Sequence, residues 1–145
     1  MDLVNPIVGV WELQSGAMVG SDGSESPLWG EGAGGFLIYT NEGYFSEQLM
    51  QPGRKKFATA DLRSGSAEEK AHAAETYVAY AGRYSQGGDW VTHHPTIHLF
   101  PNFVGVDQPR GYSIEGDVLT LTTPKFKRGD VEYFARIRFV HRLAS

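Results

Sequence analysis

Three histidines fall within six positions, at His93, His94 and His98. Imidazole is both a common metal ligand and the side chain that titrates near neutrality. In an extended strand rising ~3.3 Å per residue, His94 and His98 share a face about 13 Å apart, while His93 points to the other side. One ion cannot bridge them, so no metal site is expected here. What remains is acid–base chemistry, in which an imidazole inside a largely apolar cavity, hydrogen-bonded to a Tyr or Thr, moves a proton without a cofactor. Two parities compete for this strand. By apolar neighbours, Val91, Ile97 and Leu99 face inward and carry His93 and Pro95 with them; as a cavity lining, Thr92, His94, Thr96, His98 and Phe100 form a mixed polar and aromatic set. We adopt the second, with His94 or His98 as acid or base. Pro95 lacks an amide hydrogen, and a bulge there would switch the register along the strand.

Other candidates follow the same alternation. Tyr44, Ser46, Gln48 and Met50 share one face of a strand, with Phe45 and Leu49 opposite, which offers Tyr44 and Gln48 to a ligand carbonyl or hydroxyl. Arg110 and Tyr112 share a face further on, and an inward Arg would be placed to clamp a carboxylate or enolate. Tyr39, Thr96, Phe100, Tyr112 and Tyr133 complete the expected ligand contacts. The glycines at Gly30, Gly32, Gly34 and Gly35 do not make a phosphate loop, because no Gly-Lys-Ser/Thr ending and no helix follows them. No Gly-x-Ser-x-Gly elbow is present.

The elements that must position these residues are short alternating runs separated by Gly, Pro, Asn and Asp, the pattern of an antiparallel β protein. Strands are expected near Ile7 to Met18, Gly35 to Thr40, Tyr44 to Met50, Arg83 to Gln86, Trp90 to Phe100, Arg110 to Ile114, Val118 to Thr123 and Val131 to Arg142. Asn41-Glu42-Gly43 gives the clearest hairpin. Ser66 and Glu69 have capping-box spacing, so a helix should start at Ala67; its apolar positions Ala71, Ala74, Tyr77, Val78 and Ala81 carry it to Gly82, packed on the sheet. About eight strands, one inserted helix and no βαβ alternation favour an antiparallel barrel, whose closure removes exposed edges. The last strand places Val131, Tyr133, Ala135, Ile137 and Phe139 on one face.

Composition bounds the rest. The 145 residues are expected to form one domain, and they carry 13 Lys and Arg against 17 Asp and Glu. The basic residues are scattered apart from 54–56 and 125–128, which leaves no stripe for a nucleic-acid backbone. No cysteine is present, which excludes disulfides, thiol nucleophiles and thiolate metal sites. No run approaches the ~20 apolar residues of a membrane helix, and since residues 1–6 lack a basic start followed by an apolar run, an unexported protein is expected. The expectation is a cytoplasmic protein with a small-molecule partner, no membrane and an open question of self-association.

Gly9-Val10-Trp11-Glu12-Leu13 is similar to the Gly-x-Trp opening strand of lipocalins. Further matches lie in Gly35-Phe36-Leu37-Ile38-Tyr39-Thr40, Gly43 to Met50, Tyr80-Ala81-Gly82-Arg83-Tyr84, His93-His94, and Pro101 to Gly105 followed by Gln108 and Arg110. In this order they resemble the small, single-domain lipocalin-like family of bacteria and fungi, over nearly the whole chain. The resemblance implies an all-β, lipocalin-like antiparallel barrel in which Trp11 closes the floor against a basic residue of the last strand, with Arg142 the candidate. His141 departs from the pattern, where Trp is commoner. The implied functions are mixed: binding of a small apolar or aromatic molecule, as a cofactor-independent isomerase, cyclase or lyase of biosynthesis using His94, His98, Tyr44 and Arg110, or as a non-catalytic carrier or sensor with a lumen of Ile38, Met50, Tyr133, Ile137 and Phe139.

Overall fold

The computed structural model describes residues 5–142. Ten antiparallel strands follow one another in it: β1 (Gly9–Gly20), β2 (Glu25–Pro27), β3 (Gly34–Tyr39), β4 (Tyr44–Met50), β5 (Tyr77–Gln86), β6 (Trp90–His98), β7 (Gln108–Glu115), β8 (Val118–Thr122), β9 (Phe126–Arg128) and β10 (Val131–Arg142). Helix α1 (Ala67–Glu75) lies between β4 and β5. Eight of the strands close into a barrel in the order β1-β3-β4-β5-β6-β7-β8-β10, because β10 also pairs with β1 from Val10↔Arg142 to Gly20↔Tyr133. The short strands β2 and β9 extend the sheet beyond the ring and were not foreseen in the sequence.

Alternation fixes the inner surface. Trp11, Leu37, Tyr39, Phe45, Leu49, Tyr80, Val91, Leu119, Leu121 and Phe139 are buried and form one core with Ile7. Short turns join the strands at one end, where Gly43 and Gly116 adopt the positive φ that their hairpins require. Trp11 closes this end. Its indole nitrogen donates to the Ile7 carbonyl at 2.8 Å, and its ring lies against His141 at 4.7 Å between centroids. The implied partner Arg142 instead faces out and pairs with Glu12 at 3.2 Å, since the register sets His141 directly across from Trp11. Gly9 leaves the room that the His141 ring fills, where a Cβ would collide with it.

The longer connections gather at the opposite end. The helix begins at Ala67 behind a complete capping box, Ser66 Oγ accepting from the Glu69 amide and Glu69 accepting from the Ser66 amide. It stops at Glu75, well short of Gly82, because Tyr77 to Gly82 pair with Met50 to Phe45 instead. The alternation Val78, Tyr80, Gly82 suits a strand as well as the alanines suit a helix, and a ladder with β4 decides the contest. The helix buries none of its residues fully; it stands at the rim of the barrel rather than packing broadly on the sheet.

Strand β6 contains the irregularity that Pro95 suggested. Gly82 pairs with Pro95 and Ala81 with Ile97, so Thr96 is an extra, bulged residue. Inward facing therefore runs through Val91, His93 and Pro95, and then passes to His98. The two parities read from sequence divide at this point, the apolar one before the bulge and the cavity-lining one after it.

Candidate functional site

The open half of the barrel encloses a cavity of about 530 Å³, within the range of small-molecule sites. Its apolar wall comes from Trp29, Leu49, Val78, Phe100, Phe103 and Ile137. Its polar groups converge on one side: Glu47 from β4, Tyr80 from β5, His98 from β6, and Gln108 and Arg110 from β7. Ala74 and Glu75 of the helix border the mouth.

Glu47 is the group that burial makes conspicuous. Its neighbours in alternation are Phe45 and Leu49, so the strand that buries them carries the carboxylate into the barrel at 4% exposure. Loss of water pushes its pKa above the usual carboxylate range, while the Tyr80 hydroxyl, close enough to hydrogen-bond it, and the Arg110 guanidinium pull it back in part. Arg110 is itself braced, donating to Gln108 Oε1 at 3.1 Å and to the Pro109 carbonyl at 2.8 Å.

Behind Glu47 runs a dry chain of aromatic polar groups. His93 Nδ1 meets the Tyr80 hydroxyl at 3.1 Å and His93 Nε2 meets the Tyr39 hydroxyl at 2.6 Å. The ring stacks on Phe45 at 4.1 Å and 12°. Burial first, then the charge of Arg110, lowers the His93 pKa to about 3, so the ring is neutral. Burial first, then the negative Glu47, raises the Tyr39 and Tyr80 pKa values well above 10. The neutral ring donates from one nitrogen and accepts at the other, so it joins the Tyr80 hydroxyl, beside Glu47, to the Tyr39 hydroxyl deeper in the core. The result is a row of neutral dipoles aimed at one carboxylate. It carries no charge of its own.

His98 sits at the rim, stacked on Tyr80 at 4.8 Å and against the edge of Phe103 at 5.4 Å. The Phe100 amide donates to its Nδ1 at 2.9 Å, which puts the proton of the neutral ring on Nε2, and burial lowers its pKa.

Of the residues named from the sequence, His98, Phe100, Arg110 and Ile137 line this cavity. The others lie elsewhere. His94 faces out, with Nε2 at 2.9 Å from Ser85 Oγ and Nδ1 at 2.7 Å from Asp107 Oδ1. This linkage has the connectivity of a hydrolytic triad, yet the His94 and Asp107 side chains are 36% and 66% exposed on an open strand face, where water competes for every bond. Tyr44 also faces out, under the Arg83 guanidinium, and Gln48 donates to Ser46 Oγ on the same outer face. Thr96 is the exposed bulge residue. Ile38 and Met50, expected to line a carrier lumen, have outward parity as well, because Leu37 and Leu49 take the inner positions. Tyr39 belongs to the packed half, Tyr112 donates to the Gly87 carbonyl at 3.0 Å, and Tyr133 packs beside Phe126. Glu47 and Tyr80 were missed. The signal for both was the apolar parity of their strands, since Phe45 and Leu49 flank a lone carboxylate. Among the described residues no cluster of His, Asp and Glu is arranged to hold a metal ion.

The family described as a lipocalin-like domain matches residues 8–135. A similar protein is the 4'-hydroxy-3'-methoxypropiophenone carrier protein ppsC of Aspergillus oryzae, 34% identical over 86 residues, which cover 54% of this chain and 78% of the relative. No solved structure matches the chain. With a closed barrel of eight antiparallel strands, a Gly-x-Trp floor and a family match over most of its length, the chain belongs to the lipocalin-like domain family.

Proposed function

We propose that the barrel binds one small aromatic molecule bearing an oxygen function, its ring among Trp29, Phe100 and Phe103 and its oxygen toward Gln108 and Arg110. The carrying observation is the division of one cavity into an apolar wall and a single polar side that includes a buried carboxylate and an arginine. Such a site rewards a ligand that is mostly ring with one polar end. The fungal relative, named a carrier of a hydroxylated, methoxylated propiophenone, supports a small aromatic ligand with oxygen functions.

Titration with 4'-hydroxy-3'-methoxypropiophenone, followed by tryptophan fluorescence and calorimetry, tests the reading. Saturable one-to-one binding is expected. Val78→Trp, which places a second ring at the mouth, should weaken it about tenfold or more. Absence of saturable binding at millimolar concentration would remove the reading.

Carriage requires only that the ligand leave unchanged. A cofactor-free isomerase, cyclase or lyase is the second reading, favoured by the carboxylate held in an apolar cavity with its pKa raised, the usual setting of a general acid or base. Product analysis after prolonged incubation separates the two.

A further inference from the structure

Glu47 is 4% exposed, lines the cavity together with Tyr80 and Arg110, and has behind Tyr80 the hydrogen-bonded chain through His93 to Tyr39. The His93 ring and both hydroxyls are locked in their neutral forms, so none of them exchanges a proton easily with a ligand. His98 has its Nδ1 engaged by the Phe100 amide, which leaves no free lone pair to act as a base. Arg110 is cationic at any accessible pH. With Glu75 at the mouth rather than on the polar side, this leaves the Glu47 carboxylate as the group there that can both take and return a proton.

We propose that Glu47 is the proton-transfer group of this barrel, acting as general base and then general acid on a bound carbonyl compound with a C–H bond next to the carbonyl. This rests on the binding reading above. The C–H bond breaks and its proton forms an O–H bond on the Glu47 carboxylate. The electron pair becomes a C=C bond, the carbonyl π pair moves to oxygen, and the resulting enolate oxygen faces the Arg110 guanidinium. Return of the proton to the same carbon regenerates the ligand; return to its other face or to a conjugated position yields an isomer. No oxidant, reductant or metal enters the balance. Tyr80 and His93 are positioning residues, since they touch Glu47 or each other and not the reacting carbon.

The test uses the full chain in deuterium oxide with 4'-hydroxy-3'-methoxypropiophenone at saturation, following loss of the side-chain CH₂ signal by proton NMR, with binding measured in the same sample. Exchange per bound molecule should exceed that in buffer and fall about 100-fold or more in Glu47→Gln. Glu47→Asp, which keeps the carboxylate but withdraws it, should retain part of the rate and guards against a Gln variant that fails to fold. The wild-type rate should rise with pH through a midpoint above the usual carboxylate value. Tyr80→Phe should move that midpoint higher, because the lost hydrogen bond had favoured the charged form. A probe that binds but exchanges no faster than in Glu47→Gln overturns the assignment and leaves the binding reading intact. A probe that does not bind overturns both.

Discussion

His93 gives the sharpest prediction, because its neutrality is a matter of stability as well as mechanism. The ring is fully buried, and its pKa drops from 6.5 to about 3 on folding. Between those values the unfolded chain binds a proton that the folded chain refuses, so this group's contribution is complete above pH 6.5 and drains away as pH falls. At ~1.4 kcal/mol per pH unit the whole drop is worth about 5 kcal/mol, and the part reached by about pH 4.5 is worth about 3 kcal/mol. Glu47 has the opposite sign, its pKa being raised: its stability is present below the usual carboxylate value of 4.5 and is lost as pH rises. His93→Gln separates them. Glutamine keeps one donor and one acceptor for Tyr80 and Tyr39, cannot titrate, and leaves Glu47 in place. Urea unfolding followed by tryptophan fluorescence should show the variant less stable by about 1–3 kcal/mol above pH 7, a gap fixed by lost stacking and imperfect hydrogen bonds. Below pH 6.5 the gap should close at about 1.4 kcal/mol per pH unit and vanish or reverse near pH 5. Two parallel stability curves from about pH 8 to pH 4.5 would show that His93 takes up its proton in the folded barrel, and the neutral-dipole account of the chain would fail.

Two further outcomes test the placement of β6. Gly82→Ala puts a Cβ against the His94 carbonyl oxygen and 2.9 Å from the Thr96 nitrogen, at the bulge itself; thermal unfolding should report a loss of about 2–3 kcal/mol, and a neutral result would mean that the bulge is not where the register places it. His94→Ala removes only exposed bonds to Ser85 and Asp107, so stability should change by less than ~1 kcal/mol and affinity for 4'-hydroxy-3'-methoxypropiophenone by less than about twofold in calorimetry.

The barrel was legible in the sequence because its signals are local. Asn41-Glu42-Gly43 marks a hairpin through the φ of one glycine, Ser66 and Glu69 mark a helix start, and Ile137 and Phe139 lie on the inner face that the alternation of the last strand implied. The helix end was not, since Ala79 and Ala81 serve either a helix or a strand and only pairing with β4 chooses. The site was less legible for a related reason. Parity on β4 was read from the residues most apt for ligand contact, Tyr44 and Gln48, whereas burial follows the apolar set, Phe45 and Leu49, and takes Glu47 with it. On β6 the chemistry of Pro95 announced a bulge, but its consequence, His93 in the dry core and His98 in the cavity, needs the register with β5.

That bulge also explains how one barrel holds a packed half and an empty half. A regular strand would send His93, Pro95 and Ile97 inward in succession, filling the open end with an isoleucine. The extra residue Thr96 turns Ile97 outward, to 65% exposure, and brings His98 inward, stacked on Tyr80. Below the bulge His93 is sealed among Tyr39, Phe45 and Tyr80; above it the wall becomes the aromatic rim of Phe100 and Phe103. Glu47 stands between the two halves, with Tyr80 and then the buried His93 on one side of it and the cavity on the other. A carboxylate wholly inside the packed half would have to stay protonated, and one at the rim would be hydrated and weak. The bulge moves the boundary between core and cavity to the level of that carboxylate, and the chemistry open to this barrel depends on that position.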